Sequence, residues 1–99
     1  MAQFDYYPQR RAKGYWLDCQ TVLLSDIESR FVAPLLPIEV VMAPIRQLNP
    51  VFEIAGSSFV LLTQQAGPAP AADLGKPAGS LADFRYEILN AFDFLITGV

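Results

Sequence analysis

The chain has 99 residues, with 7 basic and 10 acidic side chains, a formal net charge of −3 and no histidine. This length predicts one domain over residues 1–99. The lack of histidine excludes Ser-His-Asp and Cys-His catalysis, and the lone Cys19 excludes an internal disulfide or a Cys-rich zinc site. We therefore expect no metal or other cofactor, and the acidic balance argues against direct nucleic-acid binding.

The composition also predicts a surface for a partner. Only 17% of the residues are charged and 53% are hydrophobic, whereas a soluble domain has about 25% charged residues. Apolar surface is then expected to be covered by another protein. A free cysteine is typical of the reducing cytoplasm and is usually buried, which we expect of Cys19. The start of the chain lacks the pattern of a secretory leader, and proline-broken residues 31–45 are too short to span a bilayer, so we expect a cytoplasmic protein without membrane contact.

The first part of the chain predicts two strands joined by a basic loop. Residues 4–6 are rich in β-formers, and residues 15–20 alternate in polarity, as in a half-buried strand. The two faces of that second strand are formed by Tyr15, Leu17 and Cys19 and by Trp16, Asp18 and Gln20. Residues 8–14 are bounded by proline and glycine and predict a loop. This loop, either a solvated hairpin loop or a docking patch, carries three basic residues: Arg10, Arg11 and Lys13.

The middle of the chain predicts a third strand and a hairpin. Residues 31–33 read as a strand that ends at Pro34, since proline cannot sit inside a paired strand. Residues 38–47 fit either a strand or a short helix. Two β-rich runs, 51–54 and 58–62, flank a glycine-containing turn and predict a hairpin. Residues 64–79 are rich in alanine, glycine and proline and predict a long connection with an edge strand near 71–74.

The last part of the chain predicts a helix that starts at Ser80 and stops at Gly98. Ser80 and Asp83 have the spacing of a capping box. One face at helical spacing comprises Leu81, Phe84, Ile88, Ala91 and Leu95. Further apolar residues (Leu89, Phe92, Phe94 and Ile96) predict that this end either sinks into its own core or forms a symmetric subunit interface. Asp93 lies among them and is expected on a solvent-facing strip or beside a cationic partner.

No pattern in the chain carries recognisable catalytic chemistry. It has no phosphate-binding loop, metal-ligand spacing or nucleophile elbow. The carboxylates are scattered, and the closest pair, Asp26 and Glu28, is typical of a solvated loop. We therefore expect a binding protein rather than an enzyme. The pattern as a whole predicts either an α+β fold or a mainly β barrel with a C-terminal helix.

Short segments spread over nearly the whole chain carry a family resemblance. They are Gln3-Phe4, Leu17-Asp18-Cys19-Gln20, Pro34-Leu35, Pro50-Val51-Phe52-Glu53-Ile54, Leu61-Leu62-Thr63, Leu74-Gly75, Leu81, Ile88, Asn90-Ala91 and Gly98-Val99. In order and spacing they resemble the CcdB toxins of toxin–antitoxin modules. The resemblance implies an SH3-like barrel of antiparallel strands with a C-terminal helix and a symmetric homodimer. It also implies poisoning of the DNA gyrase A subunit, neutralisation by a CcdA-like antitoxin, and operator DNA bound only through that antitoxin.

The resemblance also assigns candidate site residues. The gyrase-type target surface falls on Leu23, Leu24, Asp93, Ile96, Thr97, Gly98 and Val99. The antitoxin surface falls near the basic loop, on Arg10, Arg11 and Lys13. The dimer interface is expected at the apolar helix end, on Leu89, Phe92, Leu95 and Ile96. The family carries tryptophan where this chain has Thr97, and a neutral amide where it has Asp93.

Three hypotheses remain open from the sequence. The first is a toxin that binds the gyrase A subunit. The second is a non-toxic or retargeted homologue that keeps dimerisation and antitoxin binding, which Thr97 and Asp93 favour. The third is an endoribonuclease, because ribonuclease toxins share this barrel architecture.

Overall fold

An antiparallel sheet and a C-terminal helix make up most of the computed structural model, which describes residues 2–98. Within that range lie seven strands and one α-helix: β1 (Asp5–Pro8), β2 (Tyr15–Asp18), β3 (Ser29–Pro37), β4 (Val51–Ile54), β5 (Ser57–Leu61), β6 (Gly67–Pro70), β7 (Gly79–Ser80) and α1 (Arg85–Thr97). The strand order is β4-β5-β3-β2-β1-β7, and β6 pairs with β3 off that path. The predicted mainly β fold with a C-terminal helix is confirmed. Over these residues, no helix combines the length and apolar character needed to cross a membrane.

The long strand β3 is the centre of the sheet and runs through Pro34. Residues 29–32 pair with β6 and residues 35–37 pair with β5, while β2 lies on the opposite side. The Pro34 carbonyl accepts the Leu62 N–H at 3.0 Å. The nitrogen of Pro34 faces the same side of β3 as its carbonyl. Its missing N–H therefore lies between the residues that pair with β6 and those that pair with β5, and no strand hydrogen bond is lost. The prediction that Pro34 ends the third strand is therefore wrong.

The ends of the other N-terminal elements differ slightly from their predicted bounds. β1 begins at Asp5 because Phe4 has a φ of 70°, outside the extended region. β2 ends at Asp18, two residues earlier than predicted. The hairpin of β4 and β5 is confirmed, and it turns through Ala55 and Gly56, both at positive φ.

The long connection contains an edge strand at a different place from the one predicted. The strand is β6, whereas Ala71–Asp73 forms a 3-10 turn. Alternate N–H groups along this run, those of Gly67, Ala69 and Ala71, can face β3. The Ala71 N–H is donated to the Glu28 carbonyl at 2.8 Å. The two intervening prolines need no partner for an N–H, so the proline-rich run can form an edge strand. Residues 38–47 form a 3-10 turn, Ile38–Val40, followed by turns and bends rather than a strand or an α-helix.

The helix α1 covers the main core on one face of the sheet. Of its predicted apolar face, Leu81, Ile88 and Ala91 are buried, while Phe84 and Leu95 remain 41% and 42% exposed. The core cluster comprises Phe4, Leu17, Ala33, Leu35, Phe52, Ile54, Phe59, Leu61, Leu81 and Ile88.

The predicted ends of the helix are half right. α1 begins at Arg85, after the 3-10 turn Ala82–Phe84, and the Ser80 hydroxyl accepts the Ala82 N–H at 3.1 Å. Ser80 therefore binds the first residue of the 3-10 turn and does not cap the α-helix, so the predicted start of the α-helix is wrong. Gly98 ends α1 as predicted, in the left-handed conformation at a φ of 76°.

The opposite face of β2 and β3 is also covered. Tyr7, Val32 and Leu74 form a second buried cluster with Trp16 packed against it, under the long connection. Asp18 lies on this face and is fully buried. β2 is thus less exposed than the half-buried strand that its alternation predicts, because a loop without a periodic pattern covers its second face.

Candidate protein-binding surfaces

The first candidate surface is an apolar turn after β2. Val22–Leu24 forms a 3-10 turn whose start is capped by the Thr21 hydroxyl, which accepts the Leu23 N–H at 3.4 Å. No side chain of this turn is buried, and Leu23 and Leu24 are 88% and 47% exposed. We call these two leucines the leucine turn. An isolated exposed leucine is ordinary, but two adjacent ones on a short turn are a candidate for contact with a partner.

The second candidate surface is the C-terminal end of α1. Ile96 is 79% exposed, and Asp93 is exposed as predicted. The Thr97 hydroxyl donates to the Asp93 carbonyl at 2.7 Å, one turn back along the helix. Gly98 is exposed. Val99 lies outside the described residues.

The four candidate dimer residues divide into two pairs. Leu89 and Phe92 are half-buried and pack against the main core of their own chain. Leu95 and Ile96 are exposed and contribute most of the free apolar area at this end. The reading in which the helix sinks into its own core therefore holds for Leu89 and Phe92, while the subunit interface stays a prediction that rests on the exposed Leu95 and Ile96.

A chain of contacts connects the leucine turn to α1. The Gln20 side chain donates to the Leu24 carbonyl at 3.0 Å and accepts the Phe31 N–H at 2.9 Å. The Phe31 ring faces the Phe92 ring of α1 with 5.7 Å between centroids. The leucine turn and α1, which carry target-surface residues from distant parts of the chain, are thus connected through β3.

The third candidate surface is the basic loop between β1 and β2. Arg10, Arg11 and Lys13 are all exposed. The loop is closed at its base by Gln9, whose N–H is donated to the Gly14 carbonyl at 3.0 Å. Because none of the three cations has an acidic partner within salt-bridge distance among residues 2–98, their charge is available to a ligand.

Two surface grooves border this loop. One, of about 360 Å³, is lined by Arg10, Arg11, Trp16 and Asp73, among others. The other, of about 400 Å³, places Lys13 beside the aromatic rings of Tyr15 and Phe59 and the carboxylate of Glu39. Cations next to apolar rings suit a peptide that carries both acidic and apolar side chains.

Sequence reasoning missed a buried ion pair between Asp18 and Arg30. Arg30 donates from Nη2 and Nε to Asp18 Oδ2 at 2.6 and 3.0 Å. Both side chains are at most 1% exposed. The sequence placed Asp18 on the second predicted strand and Arg30 just before the third. Nothing in it showed that the face of β2 that carries Asp18 would be covered.

Two other titratable groups are shifted by burial. Burial raises the pKa of the Tyr7 hydroxyl, with smaller contributions from Asp5 and Asp18 that Arg30 opposes. Burial, and then the Asp18 carboxylate, raises the pKa of the Cys19 thiol. Cys19 is half-buried and packs against the main core, which agrees with its predicted apolar role. Its thiol stays protonated at neutral pH and is a poor nucleophile.

The fold and these surfaces define a small antiparallel β protein with a C-terminal helix and with exposed apolar and basic surfaces suited to protein partners. The family model for the CcdB protein matches residues 3–98. The chain therefore belongs to the CcdB family, whose members are toxins of the toxin–antitoxin type.

Proposed function

We propose that this protein is the toxin of a type II toxin–antitoxin module, that it acts in the cytoplasm by binding the DNA gyrase A subunit, and that an antitoxin neutralises it. The observation that carries the proposal is the family match over residues 3–98 together with exposed apolar side chains at the positions expected to meet the target, Leu23, Leu24 and Ile96. Its action is binding rather than catalysis.

The second candidate is a homologue that keeps its dimer and its antitoxin but no longer poisons gyrase. Thr97 favours it, because tryptophan is a hot-spot anchor whose loss commonly costs about 2–4 kcal/mol, or roughly 30- to 700-fold in affinity. The exposed Asp93 adds a negative charge beside the same surface.

Expression and binding experiments separate the two candidates. Expression of the protein alone should arrest growth and induce the DNA-damage response, and the purified protein should bind the gyrase A subunit. Leu23→Ser should weaken that binding, whereas Met42→Ser, at a fully exposed residue outside the surface, should not. Normal growth at verified soluble expression, with no gyrase A binding, would reject the first candidate.

The Thr97 position has its own test. Thr97→Trp adds a large apolar surface next to Ile96 and should tighten gyrase A binding by about 30-fold or more if the position limits affinity. An unchanged affinity would show that Thr97 does not account for weak binding. A parallel assay for RNA cleavage should detect no activity, and cleavage would favour an endoribonuclease.

The proposed antitoxin surface consists of Arg10, Arg11 and Lys13 with the two adjoining grooves. An acidic antitoxin segment should bind there with an affinity that falls as salt rises. The double variant Arg10→Glu/Arg11→Glu should lose binding, while Arg46→Glu/Lys76→Glu, with the same change in net charge elsewhere on the exposed surface, should retain it. Equal effects would mean that only net charge matters. Operator DNA is proposed to bind only through the antitoxin.

A further inference from the structure

Gln20, which follows β2, connects three separate backbone segments. Its backbone N–H is donated to Asp18 Oδ1 at 3.1 Å. Its side-chain amide donates from Nε2 to the Leu24 carbonyl at 3.0 Å, and its Oε1 accepts the Phe31 N–H at 2.9 Å. Donor and acceptor of this one amide group are thus both used, which fixes its orientation.

Backbone hydrogen bonds shape the leucine turn from within (Leu24 to Thr21 at 3.1 Å, Ser25 to Val22 at 3.2 Å and Ile27 to Leu24 at 3.2 Å), and the Gln20 amide links it to β3. None of the residues Val22–Leu24 is buried, so core packing does not anchor the turn. The capping bond from Leu23 to Thr21 is long, at 3.4 Å. Without Gln20, the Phe31 N–H would turn to water and the Leu24 carbonyl would keep its bond from the Ile27 N–H. The turn would then lose this link to β3 and gain conformational freedom.

Gln20 itself is attached to the rigid interior. The carboxylate that accepts its backbone N–H belongs to Asp18, which is fully buried and bound by Arg30. Phe31, on the other side, belongs to β3 and contacts the Phe92 ring of α1. The hydrogen bonds of Gln20 therefore connect the exposed leucine turn to β2 and β3, and through Phe31 to α1.

We propose that Gln20 is a positioning residue of the target-binding surface: its side-chain amide holds the leucine turn in one conformation before the protein target binds. A surface ordered in advance loses less conformational freedom on binding and so binds more tightly. This inference rests on the proposed function for its effect on affinity, but the ordering of the turn can be measured without a target.

The test uses Gln20→Met, which keeps the length of the side chain but cannot form these hydrogen bonds. We expect the amide of Leu24, which lies in the turn, and that of Phe31 to exchange with solvent at least about fivefold faster, and binding to the gyrase A subunit to weaken by about 5- to 20-fold. Gln20→Glu keeps the acceptor and should restore slow exchange at Phe31. Gln9→Met is the matched control, because Gln9 makes one side-chain bond, to the Tyr15 carbonyl, far from the turn.

A second readout separates positioning from a general loss of structure. Binding of the antitoxin segment and the melting temperature should stay close to wild type in Gln20→Met, since the basic loop is remote from the leucine turn. An equal loss of both affinities would overturn the positioning role. If wild type does not bind gyrase A, the proposed function fails, and exchange in the turn decides the inference. Unchanged exchange at Leu24 in Gln20→Met overturns it, and faster exchange there supports it.

Discussion

At the scale of single residues, the Asp18–Arg30 pair is the most consequential feature of the interior. Two bonds join Arg30 to one carboxylate oxygen of Asp18, and the other oxygen accepts the Gln20 N–H. Arg30 Nη1 and the Tyr7 hydroxyl are buried without a hydrogen-bond partner among the described residues. A buried pair of this kind contributes little net stability compared with apolar residues, but loss of one partner is costly.

Removal of one member of this pair should therefore destabilise more than removal of both. Arg30→Met leaves the Asp18 carboxylate buried and unpaired, and we expect a loss of about 3–5 kcal/mol in the free energy of unfolding. The double variant Asp18→Leu/Arg30→Met should recover a substantial part of that loss. Urea unfolding of wild type, both single variants and the double variant measures the coupling; additive losses would contradict it.

The Cys19 thiol should make stability sensitive to alkali. Its pKa is raised in the folded state, so the unfolded chain ionises from its ordinary pKa of 9.0 while the folded protein keeps the proton. The stabilisation is fully present below that pH and is lost above it, at up to about 1.4 kcal/mol per pH unit. Between pH 9.0 and 10.0, the free energy of unfolding should fall less steeply in Cys19→Ala than in wild type.

Tyr7→Phe is the matched control for this comparison. The ordinary pKa of tyrosine is 10.0, so the raised pKa of Tyr7 removes stability mainly at higher pH. Between pH 9.0 and 10.0, Tyr7→Phe should flatten the slope only about one third as much as Cys19→Ala does. Identical slopes in Cys19→Ala and wild type would show that the thiol is not protected from ionisation by the fold.

At the scale of elements, local sequence patterns predicted where most strands and the helix lie, whereas pairing with distant strands determined where these elements begin and end. The β4–β5 hairpin was predicted because a glycine-containing turn separates two β-rich runs. β3 was predicted too short because the effect of Pro34 depends on which strands lie beside it. β6 was missed because a proline-rich run pairs only when its free N–H groups face the neighbouring strand.

The turn of the β4–β5 hairpin is a site where stability can be gained. Ala55 has a φ of 53°, a left-handed conformation that costs an L residue roughly 1–2 kcal/mol, and Gly56 follows at 81°. Ala55→Asn creates the Asn-Gly pair favoured in such two-residue turns and should stabilise the protein by about 0.5–1 kcal/mol. Thermal and urea unfolding measure the change. Gly56→Ala should destabilise, and a loss of stability in Ala55→Asn would contradict the assignment of strain.

At the scale of the whole molecule, the structure shows where the many hydrophobic residues of this chain lie. The buried clusters contain many of them, and exposed apolar side chains remain at the leucine turn, at the end of α1 and in residues 38–45. The charge is also divided: the chain is acidic overall, while the exposed loop between β1 and β2 is basic. The proposed homodimer would cover apolar area at the end of α1.

The dimer can be tested with two residues of α1 that are equally exposed. Ile96 and Tyr86 are both 79% exposed, near opposite ends of the helix. If the C-terminal end forms the interface, Ile96→Ser should raise the dimer dissociation constant by about 10- to 100-fold, whereas Tyr86→Ser should not. Sedimentation and the dependence of the melting temperature on protein concentration measure this. A concentration-independent monomer in wild type would reject the dimer.

The candidate site was predictable to different degrees in its parts. The basic loop and the exposed Asp93 followed from local sequence, because exposure of short polar loops and helix strips is a local property. The two leucines of the leucine turn came from the family resemblance alone. The sequence did not predict that Leu89 and Phe92 would be half-buried and Leu95 and Ile96 exposed. Helical spacing does not show how far along a helix the sheet covers it. Gln20 was placed on a strand face, with no sign that it binds a distant backbone N–H.

The amino-acid sequence by itself determined the class of fold, the hairpin, the stop of the helix at Gly98 and the family, because these depend on local patterns and on the order of short segments. Only the tertiary structure decided that Asp18 is buried, that Pro34 lies inside a strand and that Gln20 connects the leucine turn to β3. The physical reason is common to all three. Burial and hydrogen bonding of a residue depend on neighbours far away in the chain, and no periodicity in the sequence records which neighbours the fold supplies.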